Sequence, residues 1–297
     1  DFGTLINRLL LKDTDSRKRN LYIRTFSVIP LNENTGMIQW VENTKVFREI
    51  IEDLYKPRLG ADCLSQKRVN DLINVLTRPR GKLSWEEWLK KMEDEYYPVF
   101  HKWFIENFPK PANWLAARTC YLRTTAVWSM VGYVIGLGDR HLENILFDTT
   151  NGDCIHVDLA CLFNKGETLK VPERVPFRLT KNMQDAMGVT GYEGAFTRTC
   201  VVVQRVLRSN RDALMNVLET FAHDPLTDWI GKDHREVDGN VMLRNCKRRL
   251  LGEVTRFPHD KDISQGLSTD GQVRAVIAEA VSPDNLANMY RWWMPWV

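Results

Sequence analysis

The apolar residues at the start of the chain change from the spacing of a helix to that of strands. Four of them recur every three or four positions: Phe2, Ile6, Leu9 and Leu10. This spacing predicts an amphipathic helix. Residues 22–29 and 37–41 are instead rich in β-branched and aromatic side chains, and the turn-forming residues 32–36 lie between them. We therefore expect a β-hairpin after the first helix.

Helical spacing returns after the hairpin and dominates the rest of the chain. Apolar residues on one face predict a helix over 46–54, and the turn-rich stretch 57–83 indicates a connector between two lobes. A dense series of aromatic residues over 85–108 is typical of a helical core rather than of a base-stacking surface. Further helices are expected over 114–135 and 182–232.

A short hairpin is expected within the helical part, and an apolar segment ends the chain. The sequences NILF and CIHVD flank DTTNGD, in which Asn151-Gly152 is a strong turn signal. Near the end, a stripe of helical spacing precedes three tryptophans, and it comprises Val273, Val276, Ile277 and Ala280. We expect this end to pack on the core near residues 158–180, with a membrane or partner surface as the alternative.

The composition narrows the class of protein without indicating a ligand. The chain has 297 residues, of which 43% are hydrophobic and 27% charged, as in a globular protein. A net charge of +3 gives no argument for direct nucleic-acid binding. The six cysteines form no C-x-x-C pair, which is typical of a reduced intracellular protein. The longest apolar run, residues 126–137, is too short to span a membrane.

The candidate chemistry lies in residues 136–160, GLGDRHLENILFDTTNGDCIHVDLA. Asn144 follows Asp139 by five positions, as a magnesium-binding Asn follows the catalytic Asp in protein kinases. Asp158 ends the predicted hairpin, where a second magnesium ligand is expected. Histidine ordinarily titrates near neutral pH, so the residues alone leave open whether Asp139 or His141 accepts the proton.

The first three residues, Asp1-Phe2-Gly3, spell a tripeptide that binds magnesium in protein kinases. That motif follows a strand and a catalytic loop, whereas here it opens the predicted helix. We interpret it as an ordinary helix start with an acidic residue near the helix N-terminus.

Several motifs resemble the phosphatidylinositol 3-kinase-related protein kinases. GLGDRHLENILF and IHVD are similar to the catalytic loop and metal motif of that family, and LFNKGETLKVPERVPFRLT is similar to its activation segment. VIPLNENTGMIQWV resembles the strand pair that leads to the hinge, and the end of the chain resembles the FATC element. The resemblance implies an α+β, two-lobed protein-kinase-like fold of the PI3/PI4-kinase type, with a truncated N-lobe and a mostly helical C-lobe.

The resemblance also implies how the chain is organised. The family's phosphate-covering loop and strand lysine have no counterpart here, so we expect these 297 residues to be inactive alone. The expected units are the remainder of the N-lobe (1–41), the C-lobe (42–232) with its catalytic loop (136–144) and activation segment (158–180), a regulatory linker (233–266) and the FATC element (267–297).

By resemblance, Asp139 and His141 are the catalytic pair, and Asn144 and Asp158 bind Mg²⁺. Arg140 is expected to stabilise the loop through ion pairs. The residues expected at ATP are Trp40, which would stack on adenine, the backbone groups of Gln39 and Val41, and the apolar side chains of Phe26, Ile38, Leu146 and Val157.

The activity implied by the resemblance is transfer of the ATP γ-phosphate to Ser or Thr, with preference for a following Gln, in DNA-damage and replication-stress checkpoint signalling in the nucleus. The expected partners are protein substrates and a regulatory subunit, in a dimer of the heterodimer, with DNA reached only through partners and no membrane. A phosphoinositide lipid kinase is one alternative, although the basic residues of 158–180 are dispersed. A catalytically weak scaffold kinase is another, because Leu159-Ala160 replaces the usual Phe-Gly.

Overall fold

The chain begins with the predicted amphipathic helix. Helix α1 (Phe2–Lys12) buries three of the four apolar residues of the sequence pattern, and the short α2 (Thr14–Lys18) follows it. The computed structural model describes residues 2–32, 35–77, 84–222, 239–256, 262–294 and 296–297.

The predicted first hairpin is present, but its strand boundaries differ from those that the sequence indicated. Strands β1 (Val28–Asn32) and β2 (Thr35–Ile38) pair antiparallel, and every residue of both is exposed. The expected boundaries, 22–29 and 37–41, are therefore wrong. Because neither face of this hairpin is buried in the described structure, the pattern of apolar residues does not indicate where its strands begin and end.

Side-chain contacts, and not strand pairing, fix the segment before β1. The backbone N–H of Ile23 donates to Asn7 Oδ1 (2.8 Å), and the Tyr22 hydroxyl donates to Asp153 Oδ1 (2.6 Å). Arg24 forms an ion pair with a carboxylate at the end of a later strand. Residues 21–27 are consequently fixed against both the first helix and the second sheet.

The second sheet has three antiparallel strands in the order β3-β4-β5. They are β3 (Thr44–Val46), β4 (Ile145–Asp148) and β5 (Cys154–His156). The predicted Asn151-Gly152 turn joins β4 and β5, and the hairpin prediction is confirmed. Gly152 has a φ of 80°, which glycine adopts without the strain of other residues.

Helices surround this sheet. The stretch 57–83, expected as a connector, contains a helix that buries Val69 and Ile73, so that prediction is wrong. Most residues of this helix are polar, so its apolar face, which is only two turns long, was not evident from the sequence. Residues 78–83 lie outside the described residues. The helices of this part are α3 (Phe47–Leu59), α4 (Gln66–Thr77), α5 (Trp85–Glu95), α6 (Phe100–Asn107) and α7 (Pro111–Ile135).

The core is built on α7 and a cluster of aromatic rings. All residues over 124–135 are buried, and α7 packs along a later helix, α9 (Ala195–Ser209). Ring centroids within the cluster lie 4.9–5.6 Å apart. The rings belong to Phe47, Phe100, Tyr121 and Phe147. The predicted aromatic core of residues 85–108 is confirmed, with Tyr97 as an exposed exception. The buried residues of that stretch are Trp88, Tyr96, Phe100, Trp103, Phe104 and Phe108.

The remaining helices complete the lobe. Most of the predicted helical region 182–232 is helical, and residues 223–232 lie outside the described part. A helix and the bridge between Val254 and Ile263 occupy the expected linker. The helices are α8 (Lys181–Ala186), α10 (Arg211–Ala222), α11 (Gly239–Leu250), α12 (Thr269–Ala280) and α13 (Pro283–Ala287), with short 3-10 turns at Lys165–Thr168 and Arg291–Trp293.

The end of the chain packs on the core, as predicted. The Trp296 ring meets Trp88 of α5 edge to face at 5.7 Å and is buried. Arg178 Nη2 donates to the carbonyl oxygens of Trp293 (2.8 Å) and Met294 (3.0 Å), which joins this end to the expected activation segment. Among the described helices, none is long and apolar enough to cross a membrane.

Candidate active site

The expected catalytic loop begins where α7 ends. Gly136 closes the helix in the left-handed conformation, and a β-carbon there would lie 2.5 Å from Asn164 Oδ1. Beyond it, the loop turns at Asp139, whose φ of 56° is unusual for a non-glycine residue. The structure brings the expected catalytic pair together, with 4.0 Å between Asp139 Oδ2 and His141 Nε2.

The two expected metal ligands lie side by side. Asn144 is buried, and its Nδ2 donates to the carbonyl oxygen of Asp139 (2.8 Å), which leaves its amide oxygen unused by that bond. The backbone N–H of Val157 donates to Asn144 O (3.1 Å), so Asp158 follows directly beside Asn144. Amide and carboxylate oxygens are the ligands that magnesium prefers.

The carboxylate of Asp158 is available for a ligand. The residue is exposed, and within the described part of the chain its side chain forms no hydrogen bond or ion pair. Its φ of 51° is again left-handed, as for Asp139. Backbone conformations of this kind cost a non-glycine residue about 1–2 kcal/mol and cluster at functional sites.

Arg140 fastens the loop to the strand that ends at Asp158. Its guanidinium is buried and donates to the carbonyl oxygens of Gly138 (2.8 Å), Val157 (2.6 Å) and Asp158. Burial lowers its pKa. The expected stabilising role is observed, but the expectation of ion pairing is wrong because its acceptors are carbonyl oxygens.

The hydrogen bonds of His141 define its neutral form. The backbone N–H of Glu143 donates to His141 Nδ1 (3.1 Å), so in the neutral ring the proton is on Nε2. Burial lowers the pKa of His141, with the nearby Asp139 carboxylate acting in the opposite direction. The ring therefore offers an N–H donor on the side that faces Asp139.

The expected adenine site lies between β2 and β3. Trp40 is 85% exposed, so it is not a core residue, and Ile38 is 71% exposed. Val41, Phe26 and Val157 are half-buried.

Other expected contacts are only partly available. Leu146 is half-buried in β4, opposite Val46. The Gln39 backbone N–H donates to Ser27 O (2.8 Å), so the expectation that its backbone groups are free is wrong for the N–H. Its carbonyl and the Val41 backbone N–H remain as candidates.

Sequence reasoning missed two ionic residues in the expected activation segment, the half-buried Glu173 and the buried Arg178. Glu173 Oε1 accepts a hydrogen bond from the backbone N–H of Asp139 (2.7 Å), and burial raises the pKa of this carboxyl to about 7. Arg178 contacts the end of the chain, and burial lowers its pKa to about 9. Both lie in VPERVPFRLT, where charged residues within an apolar stretch were the available signal.

Sequence comparison places this geometry in a family. The profile described as phosphatidylinositol 3- and 4-kinase matches residues 2–230, and that of the FATC domain matches residues 266–297. The chain belongs to the phosphatidylinositol 3- and 4-kinase family. The expected α+β, kinase-like fold of this type is confirmed by the match.

Individual relatives are similar over the whole chain. It is 48% identical over 303 residues to the serine/threonine-protein kinase ATR of Oryza sativa subsp. indica, covering 100% of this chain and 11% of that protein. It is 46% identical over 297 residues to protein kinase rad3 of Schizosaccharomyces pombe, covering 99% of this chain and 12% of that protein. The chain thus spans about an eighth or less of the length of these relatives.

A solved structure has the same architecture. The FAT and kinase domain of CtTel1 superposes with a TM-score of 0.83 at 32% identity, covering 100% of this chain and 20% of that chain. A related structure shows a complete CtTel1 dimer with C2 symmetry. The resemblance to the phosphatidylinositol 3-kinase-related protein kinases is confirmed by these matches.

Proposed function

We propose that this chain is the catalytic region of a serine/threonine protein kinase that transfers the γ-phosphate of ATP to Ser or Thr. The observation that supports this most directly is the joining of Asp139, Asn144 and Asp158 in one place by hydrogen bonds. Phosphoryl transfer requires a group that takes the proton of the acceptor hydroxyl and oxygen ligands for Mg²⁺. The relatives named ATR and rad3 are protein kinases, which favours protein over lipid as the acceptor.

Asp139 is the proposed base, because the neutral His141 ring carries its proton on Nε2 and accepts the Glu143 N–H at Nδ1. The Asp139 carboxylate takes the proton as the acceptor oxygen forms its bond to phosphorus and the bond to the ADP oxygen breaks. His141 Nε2–H donates a hydrogen bond to the negatively charged phosphate oxygens at the site.

The residues present fit a magnesium site. Asn144 has an amide oxygen that its bond to Asp139 leaves unused, and the exposed Asp158 carboxylate has no ion pair among the described residues. Arg140 fixes both elements by its bonds to their carbonyl oxygens. When bound, Mg²⁺ supplies positive charge that neutralises the phosphate oxygens.

ATP is proposed to bind with its adenine on Trp40, whose exposed ring offers a stacking face. The remaining proposed contacts are the Gln39 carbonyl, the Val41 N–H and the side chains of Phe26, Ile38, Leu146 and Val157.

The cellular role is proposed from the relatives. We infer a preference for Ser or Thr followed by Gln, and a place in nuclear DNA-damage and replication-stress checkpoint signalling. The proposed partners are protein substrates and an ATR-interacting regulatory subunit, with DNA bound only through partners. A dimer of this heterodimer is consistent with the symmetric CtTel1 dimer.

A radiolabelled phosphate-transfer assay on the full-length protein tests the proposal. Peptides that carry Ser-Gln are compared with peptides that carry Ser-Ala, and vesicles that contain phosphoinositide form a third arm. We expect label in the Ser-Gln peptide and little in the other two. Equal labelling of both peptides would remove the specificity, and labelling of phosphoinositide alone would replace the protein kinase by a lipid kinase.

A further inference from the structure

One carboxylate of the expected activation segment is inserted into the catalytic loop. Glu173 Oε1 accepts the backbone N–H of Asp139 (2.7 Å). The backbone N–H of Glu173 itself donates to Gly166 O (3.1 Å). This residue is therefore bonded at its side chain to the catalytic loop and at its backbone to its own segment.

Two glycines make room for this carboxylate. A β-carbon at Gly138 would lie 2.6 Å from Glu173 Oε2, and one at Gly166 would lie still closer. Neither glycine has a left-handed backbone. The space that a side chain would need at both positions is therefore occupied by the carboxylate, which specifies a close fit between loop and segment.

Asp139 is held on both sides by side chains. Glu173 accepts its N–H, and Asn144 Nδ2 donates to its carbonyl oxygen (2.8 Å). These two bonds stabilise the strained, left-handed backbone of Asp139. That backbone conformation in turn sets the direction of the Asp139 carboxylate. A carboxyl oxygen can accept this hydrogen bond whether the group is ionised or protonated, so Glu173 is suited to this purpose.

Backbone bonds join the first half of the segment to the same loop. Gly138 N–H donates to Cys161 O (2.7 Å), and Asn164 N–H donates to Gly136 O (3.0 Å). Glu173 lies further along and adds a side-chain bond to the base itself. The conformation of Asp139 consequently depends on whether residues 161–173 are folded against it.

We propose that Glu173 is a positioning residue that couples the fold of the activation segment to the orientation of Asp139. The inference rests on the proposed phosphoryl transfer. It assigns to Glu173 an effect on the transfer step, with little effect on ATP binding, because its contacts are to the base and not to the proposed adenine site.

Two substitutions in the full-length protein separate this role from general support of the fold. Glu173→Gln keeps an oxygen that can accept the Asp139 N–H, whereas Glu173→Ala removes it. Glu219→Gln, at an exposed carboxylate on α10, is the control. The kcat and KM for ATP are measured with a Ser-Gln peptide, and kcat is divided by the fraction of protein that binds an ATP analogue.

We expect kcat to fall about 30-fold in Glu173→Ala and about fivefold in Glu173→Gln, with KM for ATP within about twofold of wild type. An unchanged normalised kcat in Glu173→Ala would overturn the inference and leave the proposed function intact. Equal losses in both variants together with a raised KM would also overturn it, because they would indicate a role in the fold. Absence of transfer by the wild-type protein would overturn the proposed function, and this inference with it.

Discussion

Arg178 connects the end of the chain to the catalytic loop, and its removal should disconnect them. Its Nη2 donates to the carbonyl oxygens of Trp293 (2.8 Å) and Met294 (3.0 Å), and its Nη1 donates to Arg140 O (3.4 Å). Its guanidinium lies 5.7 Å from the ring centroid of Trp293. We consider Arg178→Met, which keeps much of the volume and removes the charge and the donors.

Two opposing terms set the effect on stability. Burial lowers the pKa of Arg178 from its usual 12.5 to about 9, which corresponds to a cost of about 5 kcal/mol for holding the charge. Hydrogen bonds from a charged group contribute about 1.5–3 kcal/mol each, so the two shorter bonds contribute about 3–6 kcal/mol. Because these terms nearly cancel, we expect the free energy of unfolding to change by less than about 2 kcal/mol.

The local effect should be larger than the global one. The carbonyl oxygens of Trp293, Met294 and Arg140 would lose their donor, and opening of this end would let water replace it. Residues 290–297 should exchange their amide hydrogens faster, and kcat should fall at least about tenfold, because the catalytic loop loses the Arg178 donor to Arg140 O.

Hydrogen exchange by mass spectrometry, the melting temperature and kcat of the full-length protein measure these three effects. Arg174→Met is the matched control, because within the described residues the Arg174 guanidinium forms no hydrogen bond or ion pair. Faster exchange of residues 290–297 with unchanged kcat would refute the proposed link between this end and the loop. A loss of stability well above 2 kcal/mol would refute the cancellation.

Three further predictions concern the site. Trp40→Ala should leave the melting temperature unchanged, because the ring is 85% exposed, and should weaken ATP binding about five- to hundredfold in a fluorescence titration; unchanged affinity would exclude stacking. Asp139→Asn should lower the single-turnover rate at least about a hundredfold and His141→Gln about tenfold, and the reverse order would make His141 the base. Glu173→Gln should melt at a higher temperature than wild type at pH 8 but not below pH 4.5. Burial raises the pKa of Glu173 from 4.5 to about 7, so the wild-type protein loses up to about 3 kcal/mol of stability as the pH rises through this interval. A difference independent of pH would contradict this reasoning.

Elements with one buried face were predictable from the sequence. The periodicity of α1 and the Asn151-Gly152 turn follow from local chemistry. The predicted start of α7 was only a few residues too late, because Pro111 can begin a helix. The strand boundaries of the first hairpin and the helix α4 were not predicted correctly. The hairpin exposes its apolar residues, and the apolar face of α4 is short relative to its polar positions.

The candidate site was predictable where chemistry depends on spacing along the chain. The Asp139 to Asn144 interval and the hairpin before Asp158 indicated residues that the structure places together. Glu173 and Arg178 could not be found in this way, because their contacts reach 34 residues back to Asp139 and 115 residues forward to Trp293. Only the folded chain shows that their charges are directed inward.

The most direct test of the proposed chemistry is phosphate transfer by Asp158→Asn in the full-length protein. The carboxylate is exposed and free of ion pairs among the described residues, so the melting temperature should stay within a degree or two of wild type. Transfer to a Ser-Gln peptide should fall at least about a thousandfold, because the amide lacks the charge that holds Mg²⁺. Asp212→Asn, at an exposed carboxylate on α10, should retain wild-type transfer. Wild-type transfer by Asp158→Asn would contradict the account.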